Sequence, residues 1–220
     1  MKCISILGCG WLGETLREQL DSEGYAVQCL GRDVGENRRR EYYHCDTLVI
    51  AIPPRENYLE VLGETLSCLD SATQVILLSS ISYYDGKEMV VAGERLVCGM
   101  REDAVVLRLG GLMGYDRIAG RYTAGRRLSH DSMSNYIHRD DAVGVIMQVI
   151  VQGVRGEVLD VVAPVQHRKS RIFESNAQRF GFEKTQFDTD RLLGKVISSQ
   201  PLEERLGYEF VHADVYGFWD

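Results

Sequence analysis

The sequence predicts an α/β fold in which helices cover a mostly parallel sheet. Apolar runs of strand length recur along the chain, as at residues 47–52. Between them lie stretches with apolar residues at helical spacing, such as Leu16 and Leu20 within residues 14–22. Glycine-rich turns, such as residues 8–13, separate the two kinds of segment. Strands that alternate with amphipathic helices are typical of βαβ units, whose strands run parallel.

The first half of the chain predicts these elements in regular alternation. Strands are predicted at residues 2–7, 25–30, 46–52, 74–78 and 104–109. Helices are predicted at residues 14–22, 57–69 and 89–99. Gly24 is positioned to end the first helix, and Pro53-Pro54 ends the third strand.

The second half predicts a less regular arrangement. Residues 110–134 are rich in Gly, Arg and Ser, which favours a long functional loop or lid. Asp140 or Asp141 is expected to cap a helix at residues 142–151. The remaining predicted elements are strands at 135–138, 157–162 and 195–198, a helix at 170–180 and a helical turn at 201–206. We expect one domain over residues 1–220, with 110–135 and 163–220 forming a small C-terminal substrate lobe.

Charge and composition exclude several classes of function. The net charge is −7, which argues against nucleic acid as a partner. No apolar run approaches the length of a membrane span, and no signal-peptide pattern follows Met1, so we expect a cytoplasmic protein that acts on a small molecule. The six cysteines include no C-x-x-C pair, which favours free thiols. No His/Cys cluster has ligand spacing, so no metal is expected.

The motif Gly8-Cys9-Gly10-Trp11-Leu12-Gly13 has the pattern G-x-G-x-x-G between a predicted strand and helix. Gly8 permits the tight turn, Gly10 allows the backbone to approach a pyrophosphate, and Gly13 lets the helix pack on the strand. The N–H groups at the helix start then hold the phosphates. These features predict a Rossmann-type doubly wound parallel sheet that binds a nicotinamide dinucleotide.

The end of the second strand favours NADP over NAD. Gly31 occupies the position where an acidic residue would bind the ribose, and Arg32 follows, where it can pair with a 2′-phosphate. Arg38–Arg40 add positive charge, although they also suit a solvated helix face. Asp33 leaves NAD open, since its carboxylate can serve the ribose instead.

Several motifs, in the right order, resemble the short-chain dehydrogenase/reductase superfamily. The similarity is to its extended NAD-dependent epimerase/dehydratase branch, and within that to the atypical YeeZ-like members. The resemblance covers nearly the whole chain. It rests on Gly8–Gly13, Ser79–Tyr84, Leu107–Gly114, Gly120–Arg126, Asn135–Asp141, Ala163-Pro164, Gly194–Ile197 and Leu206–Tyr208. It implies that the protein is an oxidoreductase or epimerase/dehydratase, and that it forms a homodimer.

The chain departs from the family in ways that put catalysis in doubt. Leu7 replaces the first glycine of the usual G-x-x-G-x-x-G, and the family's third strand is largely missing between residues 32 and 46. The catalytic Tyr-x-x-x-Lys is absent from the helix around Glu94. A literal Tyr83-x-x-x-Lys87 follows the serine strand, but Gly86 within it favours a loop.

The resemblance and the motifs together nominate a set of site residues. Ser80 matches the family serine that binds the substrate oxygen, and Tyr84, or else Tyr83, is the candidate acid. The structural alternatives are that Ser80 only caps the backbone at the strand end and that the tyrosine rings are only packed aromatic side chains. The candidate cofactor-binding residues are Gly8, Gly10, Trp11, Leu12, Gly13, Arg32, Ala51, Ile52, Pro53 and Ser79.

Anionic groups on a substrate would suit the glycine-rich loop. Arg121 and Arg126 flank Tyr122 there, and such arginines bind carboxylates or phosphates unless they are merely solvated. His138 titrates near neutrality and is a further substrate-binding candidate, with a structural histidine as the alternative. Lys195 is a weaker candidate for binding an anion.

Three functions remain open at this stage. The first is an oxidoreductase or epimerase/dehydratase-like enzyme acting on a small anionic or sugar-related substrate. The second is a module that senses NAD(P) without turnover, which the missing catalytic pair favours. The third is a β-hydroxyacid dehydrogenase-like reductase, suggested by residues 6–13 together with 48–53, whose second half would be all helical.

Overall fold

A computed structural model describes residues 2–31, 42–189 and 191–220. The chain forms two compact units. The first comprises Met1–Arg108 and Val143–Leu159, and the second comprises Leu109–Ala142 and Asp160–Asp220. The expectation that residues 110–135 and 163–220 form a substrate lobe stays a prediction.

A six-stranded sheet organises the first unit. Its strands are β1 (Cys3–Leu7), β2 (Ala26–Leu30), β3 (Thr47–Ile50), β4 (Gln74–Ser80), β5 (Val105–Leu109) and β9 (Val158–Val161). They lie in the order β2-β1-β3-β4-β5-β9, and the sheet is parallel. The predicted Rossmann-type α/β fold is therefore confirmed.

Both faces of the central strands are buried. Leu48 and Ile50 of β3 pack in one core cluster with Leu62, Leu66 and Val97 of the neighbouring helices. Val49 and Ile76 are paired in register, are also inaccessible to solvent, and alternate with the members of that cluster. Because successive side chains of a strand point to opposite faces, layers must cover both sides, as they do in parallel sheets.

The helices of the described residues begin and end close to the predicted positions. They are α1 (Trp11–Ser22), α2 (Tyr58–Ser67), α3 (Glu88–Met100), α4 (Arg139–Gln152), α5 (Lys169–Phe180) and α6 (Gln200–Leu206). Helices α1 and α4 show the largest shifts, since each begins three residues before its predicted start. Helix α1 begins at Trp11 and not at Glu14 because the glycine motif itself supplies the first helical turn. None of the helices within the described residues has the length and apolar character needed to cross a membrane.

Short strands stabilise the second unit. Strand β6 (Gly111–Met113) pairs in parallel with β8 (Tyr136–His138), and β7 (Arg127–Leu128) pairs with β10 (Gln186–Phe187). Residues 110–134 are therefore not one long loop, and Ile118 and Ala119 within them are buried in a core cluster. These strands also argue against the all-helical second half that the β-hydroxyacid dehydrogenase alternative requires.

Two local predictions in the second unit are wrong. Residues 195–198 do not form a strand; the Asn135 side chain instead donates to the Lys195 carbonyl and accepts from the Ile197 N–H. Asp140 and Asp141 do not cap α4 from outside, because the helix begins at Arg139 and both lie in its first turn. The Asp141 carboxylate accepts its hydrogen bonds from Val211, His212 and Tyr208.

Candidate functional site

The strand order has a switch point next to β1. Strand β1 lies between β2 and β3. The chain runs from β1 to β2 on one side of it and then crosses to β3 on the other side, so the direction of the strand order reverses at β1. In open α/β sheets, ligands bind outside the carboxyl ends of the strands at such a switch point. The two segments at this position are the glycine motif after β1 and residues 51–53 after β3.

Two glycines of the motif are required by close packing. Gly8 has a φ of 104°, and a Cβ added to it would lie 3.0 Å from the carbonyl carbon of Ala51. A Cβ on Gly13 would lie 2.3 Å from the carbonyl oxygen of Gly8. The roles predicted for Gly8 and Gly13, a tight turn and a close helix–strand approach, match this geometry.

Gly10 differs from both in its surroundings. Among the residues that the structure describes, a Cβ added to Gly10 would meet no atom within 4 Å. Gly10 is the N-cap of α1, and it offers no side chain to cap the helix. An open backbone before a helix N-terminus without a side-chain cap is a suitable cradle for a pyrophosphate, so these residues fit a dinucleotide.

A disulfide crosses this loop. Cys9, between Gly8 and Gly10, is bonded to Cys29 near the end of β2, 20 residues along the chain. The expectation that all six cysteines are free is therefore wrong for this pair, whereas Cys3, Cys45, Cys68 and Cys98 are free thiols. The spacing of the cysteines in the sequence could not predict this bond, because the bond depends on the adjacency of β1 and β2, in which Ile6 is paired with Cys29.

The residues that carry the NADP argument cannot be placed. Arg32, Asp33 and Arg38–Arg40 lie outside the described residues, directly after the end of β2. Their predicted preference for NADP over NAD stays a prediction.

The end of β4 brings two serines toward the same edge of the sheet. Ser79 Oγ donates to the Glu94 carboxylate at 2.5 Å. Ser80 Oγ accepts from the Ser82 N–H at 3.2 Å and thereby caps a 3-10 turn over Ile81–Asp85. Ser80 is thus a strand-end cap, and its half-buried hydroxyl stays a candidate for contact with a substrate oxygen.

Tyr83 and Tyr84 both lie in that 3-10 turn, with their rings edge to face. Lys87 does not follow Tyr83 on one helix, since Gly86 adopts a left-handed conformation between them and Lys87 is exposed. The literal Tyr-x-x-x-Lys is therefore a turn, as its glycine predicted.

An ion pair between the buried Glu94 and the half-buried Arg108 lies where the sequence lacks the Tyr-x-x-x-Lys of the family that it resembles. Arg108 on β5 donates to both carboxylate oxygens of Glu94 on α3, at 3.1 and 2.8 Å. Its Nη1 donates to Tyr84 Oη at 3.1 Å, and its guanidinium carbon lies 3.6 Å from the centre of the Tyr83 ring. We call these four residues the Tyr–Arg–Glu cluster.

The cluster keeps Arg108 permanently charged. Burial alone would lower its pKa, but the hydrogen bonds to Glu94 and Tyr84 outweigh burial, and the pKa of Arg108 is raised. A cation held against a phenol hydroxyl favours the phenolate whenever that hydroxyl loses its proton. The arrangement thus places a positive charge against the Tyr84 hydroxyl.

The sequence analysis assigned no role to Glu94 or Arg108, although each lies at a position that is unusual for a charged residue. Arg108 interrupts the otherwise apolar strand Val105–Leu109, and Glu94 lies on the buried face of α3 with Val90 and Val97. Charged side chains in such positions must be paired. What the sequence could not supply was the identity of the partner.

Most of the predicted substrate-binding residues lie on the surface of the second unit. Arg121 and Tyr122 form a short 3-10 turn and are exposed, as is Arg126. The turn is fixed by Gly120, whose φ is 90° and which packs against Phe173. His138 differs from these three, since its side chain is only 2% exposed, against Tyr115, His212 and Phe218.

Comparison with known proteins gives consistent relatives over the full length. No family model matches the chain. It is 27% identical to Protein YeeZ of Escherichia coli K12, in an alignment that covers 97% of each protein. The chain is therefore similar to Protein YeeZ over its full length. The alignment is longer than this chain, so YeeZ has segments without a counterpart here.

Solved structures share the fold of this protein. A protein described as an NAD-dependent epimerase/dehydratase, from Methylobacillus flagellatus, superposes with a TM-score of 0.81 at 22% identity, covering 99% of this chain and 96% of its own. MoeE5, solved with UDP-glucose and NAD, superposes with a TM-score of 0.73 at 16% identity, covering 93% and 92%. The predicted resemblance is confirmed, and at these identities the structures establish the fold alone.

Proposed function

We propose that this protein binds a nicotinamide dinucleotide and uses it in an oxidoreductase or epimerase/dehydratase-like reaction on a small anionic or sugar-related substrate. The observation that carries the proposal is the glycine motif at the switch point of the sheet. There Gly10 leaves open space before the N-terminus of α1. The bound NAD of MoeE5, which has the same fold, supports this assignment.

The residues proposed to hold the cofactor come from three neighbouring strand ends. The backbone of Gly8, Gly10, Trp11, Leu12 and Gly13 would receive the pyrophosphate, since the first turn of a helix attracts anions. Ala51, Ile52 and Pro53 would line the crevice from β3, and Ser79 from β4. Ala51 already donates its N–H to the Leu7 carbonyl, which fixes β3 against the loop.

Tyr84 is the proposed acid/base. When bound, the dinucleotide supplies or accepts a hydride. Tyr84 Oη donates a proton to the substrate oxygen in one direction and removes it in the other, while Ser80 Oγ hydrogen-bonds to that oxygen. Arg108 stabilises the phenolate that remains on Tyr84, and Glu94 holds the guanidinium in place.

Arg121, Arg126, Tyr122 and His138 are the proposed substrate-binding residues. Exposed arginines on a glycine-rich turn suit a phosphate or carboxylate. The UDP-glucose bound by MoeE5 is a sugar of this charged kind. The preference for NADP rests on Arg32 and its neighbours in the sequence. A cytoplasmic location and a homodimer complete the proposal.

A non-catalytic NAD(P)-sensing module is the second candidate. It is favoured by one observation, which is that Lys87 is exposed and separated from Tyr83 by the left-handed Gly86. Such a module would bind the cofactor with the same loop and never turn it over. The two functions differ only in whether hydride moves.

Hydride transfer is the direct test. The purified chain is incubated with NADP⁺ or NAD⁺ and with UDP-glucose or UDP-glucuronic acid as probes. The absorbance of the reduced cofactor and the NMR spectrum of the sugar are followed, with Tyr84→Phe as the control. Turnover that Tyr84→Phe abolishes supports the enzyme. Cofactor binding without turnover of these or other carbonyl and sugar substrates would favour the sensing module.

A further inference from the structure

Two histidines and a carboxylate meet in the second unit. His138 is the last residue of β8, Asp140 lies in the first turn of α4, and His212 belongs to the C-terminal segment. Asp140 Oδ2 is 3.8 Å from His138 Nδ1 and 3.7 Å from His212 Nε2. The two imidazole rings have centroids 3.6 Å apart and are tilted by 34° to each other. One ligand atom from each of the three residues thus lies within 4.8 Å of the other two.

Close packing around His138 requires a glycine at position 114. Gly114 has a φ of 110°, and a Cβ on it would lie 2.3 Å from His138 Nε2. The pairing of Met113 with His138 in β6 and β8 brings that glycine against the ring. Any residue other than glycine at position 114 would therefore displace the imidazole.

His212 is fixed by its backbone. The buried Asp141 carboxylate accepts from the N–H groups of Val211 and His212 at 2.8 and 2.9 Å, and from Tyr208 Oη at 3.0 Å. Three charge-assisted hydrogen bonds hold the C-terminal segment at the start of α4. Asp141 is a positioning residue: it sets the location of the His212 ring without being one of the three ligand-type groups.

The electrostatics of the cluster suit a cation. Burial, and then the neighbouring His212, lower the pKa of His138. Tyr115 Oη donates to Asp140 Oδ2 at 2.5 Å. Such an outer hydrogen bond orients a ligating carboxylate. Asp140 and Asp141 supply negative charge, and Arg139, with its Nε 3.7 Å from Asp140 Oδ1, offsets part of it.

We propose that His138, Asp140 and His212 form a binding site for a divalent first-row transition metal, with Zn²⁺ the best match. Imidazole nitrogen and carboxylate oxygen are ordinary zinc ligands, and three protein ligands leave a fourth position for water. Asp140 and His212 are partly exposed, so solvent can reach that position. The Asp140 N–H approaches His138 Nδ1 at 3.3 Å, a long contact that the ion would replace.

No sequence spacing could have revealed this site. Asp141, which fixes His212, is 71 residues from it along the chain. No metal was expected because the sequence has no closely spaced ligands. In the folded chain, His212 lies next to His138 and Asp140 although it is distant from them in sequence. The proposal concerns the second unit alone and does not depend on the proposed cofactor function.

The test is a zinc titration of the full-length protein. Metal is removed with a chelator, and Zn²⁺ is added in competition with a chromophoric zinc indicator, without added thiols. One equivalent is expected to bind. His212→Ala and Asp140→Asn are each expected to weaken binding at least about 100-fold, because loss of an outer partner alone costs roughly 10–100-fold. Tyr115→Phe removes only such an outer partner and is expected to cost about 10-fold.

Control variants separate this site from other metal ligands. His130→Ala changes an exposed histidine of the same unit and is expected to leave the affinity unchanged. The Cys9→Ser/Cys29→Ser double variant should also bind one equivalent. Circular dichroism of each variant checks that it is folded. Co²⁺ added to the unchanged protein is expected to give weak ligand-field absorption without a thiolate-to-metal charge-transfer band.

Three results would overturn the proposal. The first is failure of the unchanged protein to bind zinc. The second is full affinity in folded His212→Ala and Asp140→Asn. The third is a thiolate charge-transfer band with Co²⁺, which would assign the ion to cysteines. Because the first and third use the unchanged protein, they decide the question even if a variant does not fold.

Discussion

The glycine motif and the Tyr–Arg–Glu cluster lie in the same unit but are built in opposite ways. The motif is contiguous in sequence, and its chemistry belongs to the backbone, with Gly10 facing open space. The cluster draws on a 3-10 turn, a helix and a strand, and its chemistry belongs to side chains that pack tightly. The motif therefore leaves room for a ligand, whereas the side chains of the cluster hold one another in place, with Tyr84 Oη accepting a hydrogen bond from Arg108.

This difference predicts which substitutions affect ligand binding and which affect the stability of the fold. A change at the open glycine should affect the ligand and leave the fold alone. A change in the cluster should affect the fold, the chemistry or both, and leave cofactor binding alone. Each variant below tests one side of that comparison.

Gly10→Val has the largest expected effect. The new side chain would fill the space before α1 and is expected to weaken dinucleotide binding at least about 100-fold, or roughly 2.7 kcal/mol. Unfolding by urea should show little change in stability, because no atom of residues 2–31, 42–189 or 191–220 lies within 4 Å of the added Cβ. Unchanged affinity for the cofactor would remove the motif from the site.

Tyr84→Phe should lower kcat by about 100-fold or more while cofactor affinity is kept, since a general acid contributes about 10²–10⁴-fold. Tyr83→Phe is the matched control. It keeps a ring beneath Arg108 and removes a neighbouring hydroxyl. If Tyr83→Phe is the more damaging change in a turnover assay, the acid is Tyr83.

Glu94→Gln should destabilise the protein by about 3 kcal/mol, because the half-buried Arg108 loses its counter-charge. Chemical denaturation measures this loss. Glu174→Gln provides a comparison, since Glu174 pairs with Lys184 at the exposed surface and the change should cost less. Equal losses in the two variants would show that burial does not set the strength of the Glu94–Arg108 pair.

Gly13→Ala should destabilise the fold by about 1–3 kcal/mol, through the clash of its Cβ with the Gly8 carbonyl. Gly63→Ala is the matched control on α2, where an added Cβ meets open space. There the better helix propensity of alanine should stabilise the protein by up to about 1 kcal/mol. A Gly13→Ala variant as stable as the unchanged protein would contradict the packing role of this glycine.

Arg32→Ala has the smallest expected effect and follows from the sequence alone. If Arg32 pairs with the 2′-phosphate, affinity for NADPH should fall about 10-fold and affinity for NADH should stay the same. Parallel titrations with the two cofactors measure the difference. A similar loss for both would remove the argument for NADP.

The sequence predicted the parts of the molecule that depend on short-range patterns. The order of strands and helices followed from apolar periodicity, and the turn at Gly8–Gly13 followed from its glycines. The Cys9–Cys29 disulfide was mispredicted because it needs the adjacency of β1 and β2. The partners of Arg108, and the meeting of His138 with His212, likewise depend on contacts between distant segments that no local pattern specifies.

The most direct test of cofactor binding is a titration of the purified protein with NADPH and then NADH, following tryptophan emission. Trp11 begins α1 within the glycine motif, whereas the other tryptophan, Trp219, lies in the second unit. We expect saturable quenching that is lost in Trp11→Phe, with tighter binding of NADPH. Absence of binding of either cofactor, measured by calorimetry on folded protein free of carried-over nucleotide, would contradict the assignment of this loop to a dinucleotide.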